Sequence, residues 1–368
     1  MPATDLPRFD DSPAAWRGPE MAARPERWVW QLTPDQIADI DEASARLDAS
    51  GRGIVTITAE DAPLPRLAAR LAEMKQDLLY GIGFGLIRGV PVEGYGLRRS
   101  AIAFWCIGAH LGAAVSQNAK GHVLGHVRDL GFDYAKPSAR GYQTAERLPY
   151  HCDMGDVVGL LSLRTSRSGG LSSIVSSVAL YNAMVERRPD LARVLMQPTY
   201  RDRRDEVPEG GKPWYPMPVF NPHGGYLFTH FVRSTIRKAQ RFPEVPRIAP
   251  EQAEAFDYLD ALANGPDLHL DMEFLPGDVQ FLCNHTILHS RTKYVDWDEP
   301  ERKRHLLRLW LGCPGGPAVP EPYVEFQGLT GEGRPRGTLC PGAVLNSPLE
   351  AEDGGAGDTA KRLPGAAA

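Results

Sequence analysis

One short run of residues offers two metal-binding groups on the same side of a strand. In His151-Cys152-Asp153 the first and third side chains point to one face if the backbone is extended, so a nitrogen and a carboxylate can reach one ion. The run N-H-T-I-L-H-S-R, residues 284–291, adds His289 far downstream. Two histidines and one carboxylate occupy one triangular face of an Fe(II) ion and leave the opposite positions for substrate and O₂.

The sequence leaves other roles open for these histidines. His285 is an alternative ligand to His289, and both could instead cap a strand end or contact the backbone. The triplet His269-x-Asp271 shows that a histidine-x-acid pair alone is not specific. His151 is favoured because it follows a long polar segment and precedes a strand-like run.

A weaker candidate for metal binding is the pair His122 and His126. Their spacing of four residues would suit zinc on a helix. Gly121 and Gly125 disfavour that helix, so roles in a loop or on the surface are preferred.

Two arginines follow His289 at a strand-like segment. In an extended R-H-L-L-R-L-W-L, residues 304–311, the side chains of Arg304, Leu306 and Arg308 share a face. Arg308 stands among leucines and is expected to be buried, where a guanidinium needs an anionic partner. A bound carboxylate or a structural ion pair would satisfy it. Arg304 ends a charged run and could equally lie on the surface.

Other polar residues could contribute to a binding site. Gln117 and Asn118 belong to a long polar connection over residues 116–150, which predicts a lid or a solvated loop. Tyr215 could line a pocket or fill the core. Three arginines and three acids near residue 203 predict a salt-bridged surface; these are Arg201, Arg203, Arg204, Asp202, Asp205 and Glu206.

The elements that would position these residues are helices and short strands. Capping signals and apolar periodicity predict helices from Thr33, over 64–78, over 97–111, over 178–196 with a break near Pro189, and from about Pro250. Apolar runs between Gly/Pro turns predict strands at 83–90, 157–163, 171–176, 217–220, 226–231, 278–282 and 308–311. Short strands at irregular spacing are typical of a sandwich or a barrel.

Composition and cysteine usage limit the class of protein. The 368 residues carry a net charge of −5, which disfavours nucleic acid as a partner. Five cysteines without a C-x-x-C pair predict no disulfide framework and no structural zinc site. The start of the sequence has no apolar run typical of a signal peptide, and no apolar stretch is long enough to span a membrane. We therefore expect a cytoplasmic protein; the oligomeric state is not indicated.

Five motifs occur together in the order typical of one enzyme family. They are H-C-D at 151–153, G-G-L-S at 169–172, P-G-D-V at 276–279, N-x-x-x-x-H-x-R at 284–291 and R-x-x-x-R at 304–308. Over residues 83–311 the chain resembles the taurine dioxygenase-like (TauD/TfdA) family of Fe(II)/2-oxoglutarate-dependent oxygenases.

The resemblance implies a fold, a set of cofactors and roles for individual residues. The fold would be mixed α/β with a mainly β core, a double-stranded β-helix or jelly roll flanked by helices. The cofactors would be Fe(II), the cosubstrate 2-oxoglutarate and O₂. The catalytic metal ligands would be His151, Asp153 and His289. Arg304 would bind the distal carboxylate of 2-oxoglutarate, assisted by the hydroxyl of Ser172, which replaces the threonine that is common in the family.

Arg308 matches a family position that can face an anionic substrate, and Gln117 and Asn118 are further candidates for substrate binding. Asp153 favours hydroxylation, because halogenating relatives have a small residue in its place.

We accordingly expect one oxygenase domain over residues 31–345, after an N-terminal extension (1–30) and before a disordered tail (346–368). Its reaction would oxidise an aliphatic C–H bond of a small anionic or amino-acid-like molecule, releasing succinate and CO₂. The alternatives are a zinc-dependent hydrolase with the same three ligands and a non-catalytic jelly-roll binding protein.

Overall fold

The computed structural model describes residues 6–131, 141–338 and 340–350. The expected tail from residue 351 onward and the central part of the polar connection, residues 132–140, lie outside the described residues. The helices are α1 Gly18–Ala22, α2 Pro34–Ala49, α3 Ala68–Tyr80, α4 Leu97–Ala109, α5 Ser177–Arg187, α6 Pro189–Leu195, α7 Arg233–Ala239, α8 Pro250–Ala263 and α9 Glu321–Gln327.

The strands of the described residues follow in chain order. They are β1 Val29–Gln31, β2 Phe84–Arg88, β3 Ala113–Ala114, β4 Leu124–Val127, β5 Leu148–His151, β6 Val157–Arg164, β7 Ser168–Gly169, β8 Ser172–Ser176, β9 Thr199–Asp202, β10 Trp214–Met217, β11 Phe220–His223, β12 Tyr226–Thr229, β13 His269–Met272, β14 Val279–Cys283, β15 Ile287–Arg291, β16 Tyr294–Val295 and β17 His305–Gly312.

Two sheets form the core of a jelly roll. The larger, seven-stranded sheet runs β1-β2-β14-β6-β17-β3, and β4 also pairs with β17. The smaller sheet runs β13-β8-β15-β5, and all its pairs are antiparallel. Apolar side chains of both sheets meet in one buried cluster, which includes Val158 and Trp310 from the larger sheet and Ile174 and Ile287 from the smaller. This confirms the expected fold.

The alternation of side chains along β17 explains why the charged Arg308 lies between the two sheets. Leu307, Leu309 and Leu311 belong to the cluster that packs the larger sheet against α2, α3 and α4. The residues between them project to the opposite face, toward the smaller sheet, and Arg308 is one of these. Helices α5, α6 and α8 pack against the outer face of the smaller sheet. Each sheet therefore has one face covered by helices and one facing the other sheet.

Several sequence predictions for the helices are confirmed. Thr33 caps α2 in a capping box with Gln36. The break at Pro189 separates α5 from α6. The helix predicted from residue 64 instead begins at Ala68, because Leu64 adopts a positive φ of 43° that a helix cannot accommodate.

The polar connection contains a strand that the sequence pattern did not reveal. Residues 124–127 form β4, which pairs with β17 at the start of that strand. An edge strand needs only one hydrogen-bonded neighbour, so β4 can form without the alternating pattern of a longer strand. Farther along the chain, the backbone NH of Asn346 donates to the Gly121 carbonyl (2.9 Å), so the start of the expected tail lies against this region. No helix among the described residues has the length and hydropathy of a membrane span.

Candidate active site

Strand pairing brings the candidate metal ligands together. His151 ends β5 and lies directly opposite His289 on β15, with ring centroids 4.3 Å apart. Asp153 follows two residues after β5, and its Oδ2 lies 3.8 Å from Nε2 of His289. Ligand atoms of the three residues all lie within 4.8 Å of one another, the one such grouping of metal-ligating side chains within the described ranges.

Neighbouring groups orient these side chains. Nδ1 of His151 donates to the Pro149 carbonyl at 2.9 Å, so Nε2 keeps its lone pair for a ligand. Asn284 accepts a hydrogen bond from the backbone NH of Asp153 (3.2 Å) and donates to the Met154 carbonyl (2.9 Å). Asn284 thus fixes the turn that carries Asp153.

The electrostatics keep the three groups in the protonation states that a metal requires. Burial lowers the pKa of His151, and burial together with the neighbouring imidazole lowers the pKa of His289 to about 3. Burial alone would raise the pKa of Asp153, but the charges of Arg308 and the two histidines lower it to about 2. Near neutral pH the site therefore offers two neutral imidazoles and one carboxylate. This donor set fits Fe(II), with one face provided by the protein.

The alternative ligands lie elsewhere. Nε2 of His285 contacts Asp156 at 2.8 Å, and that carboxylate also binds the Arg334 guanidinium (2.8 Å from Nε) and the backbone NH of Cys313 (2.7 Å). This buried cluster joins the turn after Asp153 to the C-terminal segment.

The remaining histidine pairs also have other partners. His126 bonds to His305 at 2.8 Å and to the Pro348 carbonyl, and so helps to hold the C-terminal segment. His122 contacts Asn118. His269, the first residue of β13, bonds through Nδ1 to the Gly265 carbonyl.

Arg304 lies at the wall of the same cavity as the metal-ligand group. Its side chain is 4% exposed, which excludes the alternative of a surface position. Nη1 is buried and has no hydrogen-bond partner among the described residues. Burial and the nearby Arg291 lower the pKa of Arg304 to about 10. This guanidinium therefore faces the cavity without the anion that would stabilise it.

Ser172 lies on β8, and its side chain lines the same cavity. Its hydroxyl donates to Oε1 of Gln280 at 3.1 Å. The Ser172 hydroxyl would have to break its hydrogen bond to Gln280 before it could donate to a bound carboxylate.

Arg308 and Gln117 form a buried network next to Asp153. Arg308, expected to be buried, is 7% exposed; Nη1 donates to Asp153 Oδ2 at 3.2 Å and Nε donates to Gln117 Oε1 at 2.9 Å. The Gln117 amide donates to the carbonyls of Val123 and Arg308, and its side chain is not among those that line the cavity. Asn118 stabilises its own turn through the backbone NH of Lys120.

The cavity has a volume of about 660 Å³ and reaches beyond these residues. Its lining contains eight arginines and six acids. The arginines are Arg203, Arg204, Arg233, Arg237, Arg291, Arg304, Arg308 and Arg336. The acids are Asp153, Asp202, Glu206, Asp257, Asp260 and Glu325.

Several acids of the cavity are neutralised. Asp202 pairs with Arg241, which is outside the lining, and Arg233 pairs with both Asp257 and Asp260. The prediction of a salt-bridged surface near residue 203 is wrong for Arg201, which is fully buried and donates to backbone carbonyls, and for Arg203, which lines the cavity. Alternating charges do not show which side of a hairpin faces a cavity.

Comparison with known proteins identifies relatives of this chain. The model of the taurine catabolism dioxygenase TauD, TfdA family matches residues 48–310. A protein of Streptomyces rubellomurinus named FR-33289 synthase is 31% identical over 303 residues, which cover 80% of this chain and 88% of the relative.

Solved structures share the fold. Asparagine oxygenase in complex with Fe(II), 3-hydroxyasparagine and succinate has a TM-score of 0.59 and 16% identity, over 77% of this chain and 93% of its own. The non-heme iron oxygenase OrfP with iron and α-ketoglutaric acid has a TM-score of 0.56 and 18% identity, with the same coverage.

Proposed function

The chain belongs to the TauD/TfdA family of dioxygenases, and from this membership we propose that it oxidises an aliphatic C–H bond of a small anionic or amino-acid-like molecule, with release of succinate and CO₂. It is an Fe(II)/2-oxoglutarate-dependent dioxygenase, with Fe(II), 2-oxoglutarate and O₂ as cofactors. Family membership favours this class over the zinc hydrolase and the non-catalytic protein that the sequence left open. A cytoplasmic location remains a prediction from the sequence.

The observation that carries the proposal is the convergence of His151, Asp153 and His289 beside a buried Arg304, whose Nη1 has no hydrogen-bond partner among the described residues, in one cavity. The three ligands would hold the iron by one face. Arg304 would bind the distal carboxylate of 2-oxoglutarate, with Ser172 beside it. The bound iron and 2-oxoglutarate supply the oxidising chemistry, and the protein contributes position, charge and exclusion of water.

Arg308 has a position that suits two tasks. It lines the cavity, where its charge would favour an anionic substrate, and it donates to Asp153, where it keeps that ligand ionised. Gln117 positions Arg308 by accepting from Nε. We therefore assign Gln117 a positioning role, whereas Asn118 stays a candidate from the sequence alone.

The class of substrate follows from the size and charge of the cavity. A volume of about 660 Å³ suits a small molecule. The arginine-rich lining favours an anion over a neutral or cationic compound. Asparagine oxygenase, which shares the fold, is described with a hydroxylated amino acid bound, and this supports testing amino acids together with other small acids.

The test is a screen for substrate-stimulated succinate release. The purified full-length protein is incubated with Fe(II), O₂ and 2-oxoglutarate, and amino acids, carboxylic acids and phosphate esters are added singly. We expect one anionic class to stimulate succinate formation and to gain one oxygen atom, detected by mass spectrometry. Asp153→Ala should abolish both signals. Succinate formation at the wild-type rate in that variant would contradict the proposed ligand set.

A further inference from the structure

The cavity extends away from the metal-ligand group along one continuous wall. Cys152 lies between the ligands His151 and Asp153, and its sulfur is 3.6 Å from Nδ1 of His230. Nε2 of His230 lies 3.1 Å from the Tyr215 hydroxyl. These contacts lead from the ligands to the hairpin of β9 and β10, which carries none of the groups assigned to iron or 2-oxoglutarate.

Arg203 stands at the far end of this wall. Its guanidinium lies 4.9 Å from the centroid of the Tyr215 ring and 5.5 Å from that of Phe326, and Nη1 donates to the Phe326 carbonyl at 2.9 Å. Nε is buried without a hydrogen-bond partner, and no ion pair with a carboxylate is found for Arg203 in the described part of the chain. Arg233 in the same cavity, by contrast, pairs with two acids. Arg203 therefore has aromatic and carbonyl contacts but no carboxylate partner among the described residues.

A second cation reaches the same place from the C-terminal segment. Arg336 lines the cavity, and its Cδ lies 3.5 Å from the position that a Cβ would take on Gly328. Gly328 is two residues beyond Phe326, whose carbonyl binds Arg203, so both arginines lie next to the end of α9. Arg336 makes no ion pair with any described residue.

The segment that carries Arg336 is firmly anchored. Arg334 is buried in the ion cluster with Asp156, and Gly337 pairs with Ser116 in a β-bridge. Arg336, placed between these two anchors, is held at the cavity although its own side chain is exposed. Phe326 and Arg336 both lie beyond residue 310, where the match to the family model ends. Arg203 itself lies within the matched residues 48–310, so the pair combines one arginine of the family-matched region with one of the C-terminal segment.

We propose that Arg203 and Arg336 form a subsite for an oxyanion of the primary substrate, at the end of the cavity remote from the C–H bond that is oxidised. Two guanidinium groups match the oxygens of a phosphate, sulfonate or carboxylate through paired N–H donors. Two positive charges select a dianion over a monoanion, so a phosphate ester binds more tightly than a carboxylate. The subsite rests on the function proposed above, because it describes the substrate of that reaction.

The test is calorimetric titration of methyl phosphate, methanesulfonate and acetate into the anaerobic full-length protein, loaded with Fe(II) and 2-oxoglutarate so that Arg304 is occupied. We expect saturable binding in the order methyl phosphate, methanesulfonate, acetate. Arg203→Met, which removes a half-buried charge whose Nε is fully buried, should weaken methyl phosphate binding about thirtyfold. Arg336→Met should weaken it about threefold to tenfold, because an exposed charge contributes less.

Controls separate this subsite from a structural role. Arg302→Met removes one positive charge from a side chain outside the cavity and should leave methyl phosphate binding unchanged. If Arg203→Met destabilises the fold through the lost contact with α9, methyl phosphate binding to Arg336→Met still tests the subsite. Equal affinity in Arg336→Met and the wild type, or no saturable binding to the wild type, would overturn the subsite. The visible absorption of the iron–2-oxoglutarate complex, read in the same samples, shows whether the proposed function itself has failed.

Discussion

Replacing Arg304 should weaken the binding of 2-oxoglutarate and stabilise the ligand-free protein at the same time. Burial without a compensating anion lowers the pKa of Arg304 from 12.5 to about 10. At about 1.4 kcal/mol for each tenfold step, the buried cation is disfavoured by about 3 kcal/mol. A bound carboxylate would recover this free energy. The value falls within the range of about 2 to 5 kcal/mol expected when one partner of a buried charge pair is truncated.

Arg304→Ala should therefore raise the Kd for 2-oxoglutarate about a hundredfold, measured by anaerobic titration of the Fe(II)-loaded protein. Arg304→Lys should recover only part of the affinity, because an ammonium cannot reproduce the planar fork of the guanidinium. Arg304→Met should raise the free energy of unfolding of the ligand-free protein, by no more than about 3 kcal/mol. The matched control is Arg302→Ala, since Arg302 is half exposed and lies outside the cavity lining.

Two results would refute the reasoning. Wild-type affinity for 2-oxoglutarate in Arg304→Ala would show that another group binds the distal carboxylate. A loss of several kcal/mol of stability in ligand-free Arg304→Met would show that the guanidinium is already compensated within the fold.

Two further predictions concern the charges around the ligands. Asp156→Asn should reduce the free energy of unfolding by about 3 to 5 kcal/mol at pH 7, because it leaves Arg334 buried without its anion. Since the folded state lowers the pKa of Asp156, this difference in stability should be fully present above about pH 4 and shrink as the pH falls through the folded pKa. Denaturant titrations that give the same difference at pH 3 and pH 7 would contradict this prediction. Arg308→Met should weaken Fe(II) affinity about 10- to 100-fold, because Asp153 loses a charged hydrogen-bond partner. Unchanged Fe(II) affinity together with a raised KM for the primary substrate would assign Arg308 to substrate binding alone.

Sequence patterns predicted the metal ligands and the burial of Arg308 better than they predicted the other residues that line the cavity. His151 and Asp153 share a face because they are two residues apart, and a later strand could supply His289 by antiparallel pairing, as β15 does. The burial of Arg308 followed from its leucine neighbours on β17. These predictions depend on local periodicity, which a sequence displays directly.

The walls of the cavity depend on contacts between distant segments. Arg203 and Phe326 meet because the chain returns after β17 and packs α9 beside the hairpin of β9 and β10. Asp156 and Arg334 pair across a similar separation. No periodicity marks such pairs, and an arginine that lines a cavity from a charged hairpin has the same local sequence as one on the surface. For this reason the sequence alone predicts a surface position for Arg203.

We assign the iron that binds 2-oxoglutarate to His151, Asp153 and His289, and not to His285. The direct measurement is anaerobic absorption spectroscopy of the full-length protein titrated with Fe(II) in the presence of 2-oxoglutarate. We predict a weak visible charge-transfer band that saturates at one Fe(II) per chain in the wild type, persists in His285→Gln and is lost in His289→Gln. A band that survives in His289→Gln and disappears in a folded His285→Gln would contradict the assignment.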